Sequence, residues 1–122
     1  MDTARITEQL VSWLKERVEA ARSQGIVLGI SGGIDSSVLA VLCQRAFPRS
    51  TLGVIMPCHS QPQDQEHARA VTSKFSIPTA TVVLDTVFDT LLKVLPADQP
   101  EPAVTSLAEA NIKPRLRMLT LY

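Results

Sequence analysis

Cysteine is scarce in this chain. Cys43 and Cys58 are the only two, too few for the disulfide framework of a small secreted domain. A reducing compartment is the default that follows, and the expected location is cytoplasmic. No signal peptide and no apolar run long enough to span a bilayer is visible, so no membrane association is expected. An excess of either charge is lacking too. Twelve Lys and Arg stand against twelve Asp and Glu, which argues against a bulk electrostatic surface for nucleic acid or anionic membrane. Repeats and low-complexity tracts are also missing. What remains is a 122-residue chain, 45% hydrophobic and 20% charged, within the range of one globular domain (residues 1–122) around one core.

The stretch Gly29-Ile30-Ser31-Gly32-Gly33-Ile34-Asp35-Ser36-Ser37 organises the rest. The apolar run Ile26-Val27-Leu28 before it is short enough for a buried strand, and Val38-Leu39-Ala40-Val41-Leu42 after it reads as part of a buried helix. A glycine turn between strand and helix favours a phosphate ligand. Gly32 and Gly33 are expected to allow close backbone approach and conformations barred to other residues. The free amides and dipole of the helix start attract an anion, and Ser31, Ser36 and Ser37 add hydroxyls. Asp35 is then the odd member, because a carboxylate beside a phosphate is repelled unless a cation lies between them. Mg²⁺ resolves that conflict, since it takes one or two carboxylates together with phosphate oxygens. The loop lacks the lysine of G-x-x-x-x-G-K-[ST] and the spacing of G-x-G-x-x-G. It resembles instead the S-G-G-x-D-S loop of the N-type ATP pyrophosphatases, which include GMP synthetase, asparagine synthetase, tRNA-modifying enzymes and NAD synthetase.

Around the loop the chain reads as alternating helices and strands. Ile6, Leu10, Trp13, Leu14, Val18 and Ala21 recur at helical spacing, with Asp2 or Thr3 as cap and Gly25 just past the end; this predicts an amphipathic helix on the sheet with Trp13 anchored in its buried face. A second strand is expected over Thr51–Met56, ended by Pro57, and a strand-helix-strand unit of this length implies a right-handed parallel crossover. The loop tip then lies at the carboxyl edge of the sheet, where open α/β sheets bind ligands.

Cys58 to His67 begins as a polar loop, with Pro62 at the start of a helix that runs to a turn at Ser76-Ile77-Pro78. Cys58 is expected to be half-exposed and Cys43 a core residue. Cys58, His59 and His67 match no strong zinc spacing. A third strand is expected over Thr79–Leu84, then a short helix capped by Asp85. The three prolines within residues 96–102 predict an exposed connector. Ser106 and Glu109 have capping-box spacing for a last helix, which Pro114 should kink or restart.

With that helix in place the resemblance narrows. The loop, then Leu52-Gly53-Val54-Ile55-Met56-Pro57, then Asn111-Ile112-Lys113-Pro114-Arg115-Leu116-Arg117-Met118 look like ammonia-dependent NAD synthetase. The resemblance implies a three-layer Rossmann-like α/β fold of the adenine nucleotide α-hydrolase-like type, built on a parallel sheet and truncated at the C-terminus. It also implies a reaction in two steps. ATP adenylylates the carboxylate of deamido-NAD⁺ with release of pyrophosphate, and ammonia then displaces AMP to give NAD⁺. On this resemblance Gly29, Ile30, Ser31, Gly32, Gly33, Ile34, Asp35 and Ser36 bind ATP, Asp35 holds Mg²⁺, and Arg115 and Arg117 contact deamido-NAD⁺ near a homodimer interface on the C-terminal helix. Without the resemblance the two arginines read as solvated helix charges.

Two departures from the family stand out. Pro114 replaces a small helix former. Family members also continue past the point matching Tyr122, with a further strand and a G-T-x-x-x-x-E-like segment that adds ATP and Mg²⁺ contacts. That strand would pair beside the loop-bearing one, so a chain ending at Tyr122 would be expected to bare an edge. The 122 residues alone are therefore expected to show little or no synthetase activity unless another polypeptide completes them. No glutaminase domain is expected, so free ammonia is the implied nitrogen source. The competing readings are another pyrophosphatase of this superfamily, acting on tRNA or of the GMP synthetase kind, and a non-catalytic nucleotide-binding or dimerisation remnant.

Overall fold

A computed structural model of the chain describes residues 1–95 and 108–122. The predicted proline connector and Ser106 of the capping box lie outside the described residues. The first helix, α1 (Thr3–Ala20), starts at Asp2, whose carboxylate accepts from the Arg5 amide at 3.1 Å. It ends differently from expectation. Arg22, not a glycine, takes the left-handed conformation with φ 56°. The Arg22 and Ser23 amides donate back to Glu19 O and Val18 O, which satisfies the last turn. Gly25 has another reason to be glycine: a Cβ there would collide with the carbonyl oxygen of Ser50, which accepts from the Ile26 amide as the next strand begins.

Three strands, β1 (Ile26–Gly29), β2 (Thr51–Ile55) and β3 (Thr79–Thr81), form a parallel sheet in the order β1-β2-β3. Ile26 pairs with Thr51 and Gly29 with Val54, while Gly53 pairs with Thr79. β3 is half the predicted length. β2 ends at Ile55 and Pro57 has no N–H to offer a ladder, so beyond Thr81 only the Val82 and Leu84 amides still reach it, through Ile55 O and Pro57 O.

Helices cover the sheet on both sides. Because neighbouring strand residues point to opposite faces, Ile55 and Val54 belong to different cores. Leu28, Ile30 and Ile55 pack with Ala40 and Cys43 of α2 (Ile34–Ala46) and Ala68 of α3 (Pro62–Lys74). On the other face Val54, Met56, Cys58 and Leu84 pack with Phe88 of α4 (Asp85–Val94) and with Leu116 and Leu121 of α5 (Lys113–Leu121). This is the three-layer α/β arrangement the resemblance implies. Pro114 sits in the first turn of α5, after a π-helical turn at Ala108–Ile112. The proline thus restarts the helix, where a missing amide costs nothing.

Three sequence expectations are corrected. α1 packs against α2 rather than on the sheet, and it reaches the core through Leu14. Trp13 is therefore 50% exposed, with the Arg17 guanidinium 5.5 Å from its ring centre. The helix α2 is buried only along Ala40, Cys43 and Ala46, leaving Val38 and Leu39 exposed. Cys58 is 1% exposed, enclosed by the second core, and that burial pushes its thiol pKa up.

Candidate functional site

β1 delivers its last residue, Gly29, to the carboxyl edge of the sheet, and Ile30 makes one more ladder bond, its amide to Val54 O at 2.9 Å. The chain then turns through Ser31, Gly32 and Gly33 into α2. Gly32 has φ 90°, and a Cβ on it would lie 2.5 Å from the backbone oxygen of Asp64 at the start of α3. Glycine is required there twice over. Gly33 differs from expectation. Its φ is −79°, and a Cβ would meet nothing nearer than Ser31 Oγ at 3.5 Å. The fold therefore does not demand glycine at 33.

Hydroxyls close the turn on itself. Ser36 Oγ accepts from the Ser31 amide at 3.1 Å and lies 3.1 Å from Ser31 Oγ. Ser31 Oγ in turn accepts from the Gly33 amide at 3.3 Å. The Ser36 and Ser37 hydroxyls both reach Gly33 O, at 3.2 and 2.8 Å. Since Gly33 is the cap and no side chain caps this helix, the amides of its first turn are left for another acceptor. Asp35 stands exposed in that first turn.

The turn forms one wall of a cavity of about 350 Å³. Gly29, Ile30, Ser31 and Ser36 line it, whereas Gly32, Gly33, Ile34 and Asp35 lie outside its lining. Met56 and Pro57 just past β2, Ser60 from the β2–α3 turn, and Asp64 and Gln65 from the first turn of α3 form the floor and far side; Pro114, Arg117, Met118 and Leu121 of α5 close it. Ser60, Asp64 and Gln65 were missed as site residues. Their signal was position, since they follow β2 at the same sheet edge as the loop.

The two arginines part company. Arg117 lines the cavity, and its guanidinium donates from Nε to Met56 O at 3.0 Å and from Nη2 to Ser60 Oγ at 3.4 Å. Arg115 is exposed and donates to Asn111 O at 2.9 Å and Asn111 Oδ1 at 3.3 Å, one turn back along the chain. The structure therefore brings Arg117, and not Arg115, to the cavity that the loop lines.

The histidines are likewise separated. His67 packs beside Gly32. His59, at φ 51°, turns to α4, where its amide donates to Asp85 Oδ1 at 2.9 Å and Nε2 lies 2.7 Å from Asp89 Oδ1. Asp85 is thus the first residue of α4 and not its cap, a place held by Leu84. Its carboxylate bonds the His59 amide instead.

The chain is 47% identical over 117 residues to the NH3-dependent NAD(+) synthetase of Carboxydothermus hydrogenoformans, covering 95% of this chain and 47% of that one. It is 45% identical over 122 residues to the NH3-dependent NAD(+) synthetase of Finegoldia magna, covering all of this chain and 48% of that protein. The chain spans about half the length of the curated relatives it matches. Among solved structures it superposes on an NH3-dependent NAD synthetase from Campylobacter jejuni with TM-score 0.86 at 30% identity, covering 100% of this chain and 51% of that one. It superposes on an NMN synthetase from Francisella tularensis with TM-score 0.85 at 26% identity, covering 100% and 49%. A match to NAD synthase over residues 6–122 takes in both walls of the cavity, and the chain therefore belongs to that family.

Proposed function

We propose that this chain carries the ATP-activating site of an ammonia-dependent NAD⁺ synthetase within one ATP pyrophosphatase domain. The observation that carries the reading is the loop itself. Its serines are committed to holding its shape, Gly33 leaves its mouth clear of any Cβ, and the first amides of α2 are uncapped. Such an arrangement suits the pyrophosphate of ATP. Gly29, Ile30, Ser31, Gly32, Gly33, Ile34, Asp35 and Ser36 are the ATP-binding residues on this reading.

The donor set fits Mg²⁺. Asp35 is a hard oxygen ligand, exposed beside the uncapped amides and without a hydrogen-bond or ion-pair partner among the described residues. Bound there, Mg²⁺ would neutralise phosphate charge and share its oxygens with the carboxylate. The chemistry needed is activation of a carboxylate, a poor electrophile until one oxygen becomes part of a leaving group. ATP supplies that group by adenylylation of deamido-NAD⁺ with release of pyrophosphate, and ammonia displaces AMP. Arg115, on the exposed side of α5, is the residue proposed to reach the anionic oxygens of deamido-NAD⁺. Leu119 on the same helix is 71% exposed and lies outside the cavity lining, which supports a homodimer through α5. A cytoplasmic location is proposed as well; no helix among the described residues is long and apolar enough to cross a membrane.

The likeness to an NMN synthetase makes the corresponding mononucleotide acid a second substrate to compare. The test supplies Mg-ATP, ammonium and either acid to the chain, alone and with the remaining half of a relative. AMP formed with deamido-NAD⁺ only when the second polypeptide is present is the expected result. AMP formation that ignores both acids would count against the synthetase reading.

A further inference from the structure

The end of β2 has an unusual acceptor. Carbonyls of β2 alternate between its two neighbours: Ile55 O and Pro57 O accept from the β3 side, while Val54 O accepts from Ile30 on the β1 side. Met56 O is next in line toward β1. There β1 has already left the sheet to form the glycine turn, so no strand amide arrives. Met56 is only 7% exposed, and a buried carbonyl without a donor is costly. Arg117 Nε fills the place at 3.0 Å, from a residue 61 positions away in sequence.

The second donor extends this link. Ser60 Oγ, the partner of Arg117 Nη2, also accepts from the Cys58 amide at 3.1 Å. One guanidinium therefore ties α5 to both ends of the turn from Met56 to Ser60, and that turn floors the cavity. Both acceptors are neutral. The planar, fixed fork of arginine is what the geometry uses, more than its charge.

We infer that Arg117 is a positioning residue, a latch that substitutes for the missing strand amide at Met56 O and sets the separation between α5 and the loop. It acts on ligand through Met56, Pro57 and Ser60, and not by direct contact with an anion. The affinity arm of the claim rests on the nucleotide reading of the cavity; the latch itself does not.

The experiment is NMR amide exchange on the 122-residue chain, with Arg117→Lys and Arg117→Gln beside wild type and Arg115→Gln as comparison, followed by Mg-ATP titration at several salt concentrations. In wild type the Arg117 Nε–H should be slow to exchange, a readout that needs no variant to fold. Both Arg117 variants should exchange the Cys58 amide roughly tenfold faster and bind Mg-ATP roughly tenfold more weakly. Their salt dependence should equal that of wild type, because no contact with an anion has been lost. Arg115→Gln should leave the Cys58 amide as in wild type. An Arg117 Nε–H that exchanges freely, or Cys58 protection unchanged in both variants, would overturn the latch. So would full rescue by Lys with a shallower salt dependence in Gln, the pattern of a direct anion contact. A protected Arg117 Nε–H in a wild type that ignores Mg-ATP would support the latch and sink the nucleotide reading instead.

Discussion

The loop from Gly29 to Ser36 and the helix α5 face each other across one cavity, but they are held in place by different means. The loop is fixed locally, by hydroxyl and amide bonds between residues two to five apart. The helix is fixed at a distance, through Arg117 to Met56 and Ser60 and through Leu116 and Leu121 in the core beneath the sheet. The loop is pre-shaped for its ligand. The opposite wall depends on contacts that form only when distant parts of the chain have packed.

The two glycines of the turn give the sharpest way to break that comparison. Gly32→Val adds a side chain at a positive φ and against Asp64 O, and should destabilise the fold by about 2–4 kcal/mol in urea unfolding. Gly33→Ala should change stability by less than about 1 kcal/mol while weakening Mg-ATP binding, because its cost falls on the ligand and not on the fold. Equal stability losses at the two positions would erase the distinction drawn between them.

Asp35→Asn comes next. It should leave the unfolding midpoint nearly unchanged and weaken Mg-ATP by about tenfold, or ~1.4 kcal/mol, with the difference changing sign when ATP is titrated without Mg²⁺, because the carboxylate then only repels the phosphates. Ser36→Ala removes the hub of the hydroxyl network and should cost about 1 kcal/mol of stability, measured by the same unfolding curves.

The smallest effect concerns the cores on the two faces of the sheet. Burial raises the pKa of Cys43 in one and Cys58 in the other. The unfolded chain therefore loses these protons first as pH rises, and the contribution of the two thiols to stability should be fully present below about pH 9 and decline above it. Replacing either cysteine with alanine should flatten that decline, as followed by thermal unfolding at alkaline pH.

How much could be read in the sequence follows the same division between local and distant. The loop was legible because its glycines, hydroxyls and carboxylate fall within nine consecutive residues. The parallel pairing of β1 with β2 followed from the strand-helix-strand spacing, and of the two outcomes expected at Pro114, a kink or a restart, the structure has the restart. The extent of burial was not legible. Periodicity gave α1 an apolar stripe but could not show that only Thr7, Val11, Leu14 and Val18 are partly covered, so Trp13 was misplaced. Asp85 had the residue type of a cap, yet the left-handed backbone at His59 brings an amide to its carboxylate from 26 residues away. Arg115 and Arg117 looked alike in sequence because nothing local records that Met56 O lacks a strand partner. The exposed pair Val27 and Leu52, aligned in register on β1 and β2, likewise appears only once the helices are placed.

The most direct test of the nucleotide site is calorimetric titration of the folded chain with Mg-ATP, alongside Gly33→Ala and Asp35→Asn. One site per chain in wild type, weakened in both variants while their unfolding curves overlay it, is the predicted result. A folded wild type that takes up no Mg-ATP, or two variants that bind it as well as wild type, would contradict the account.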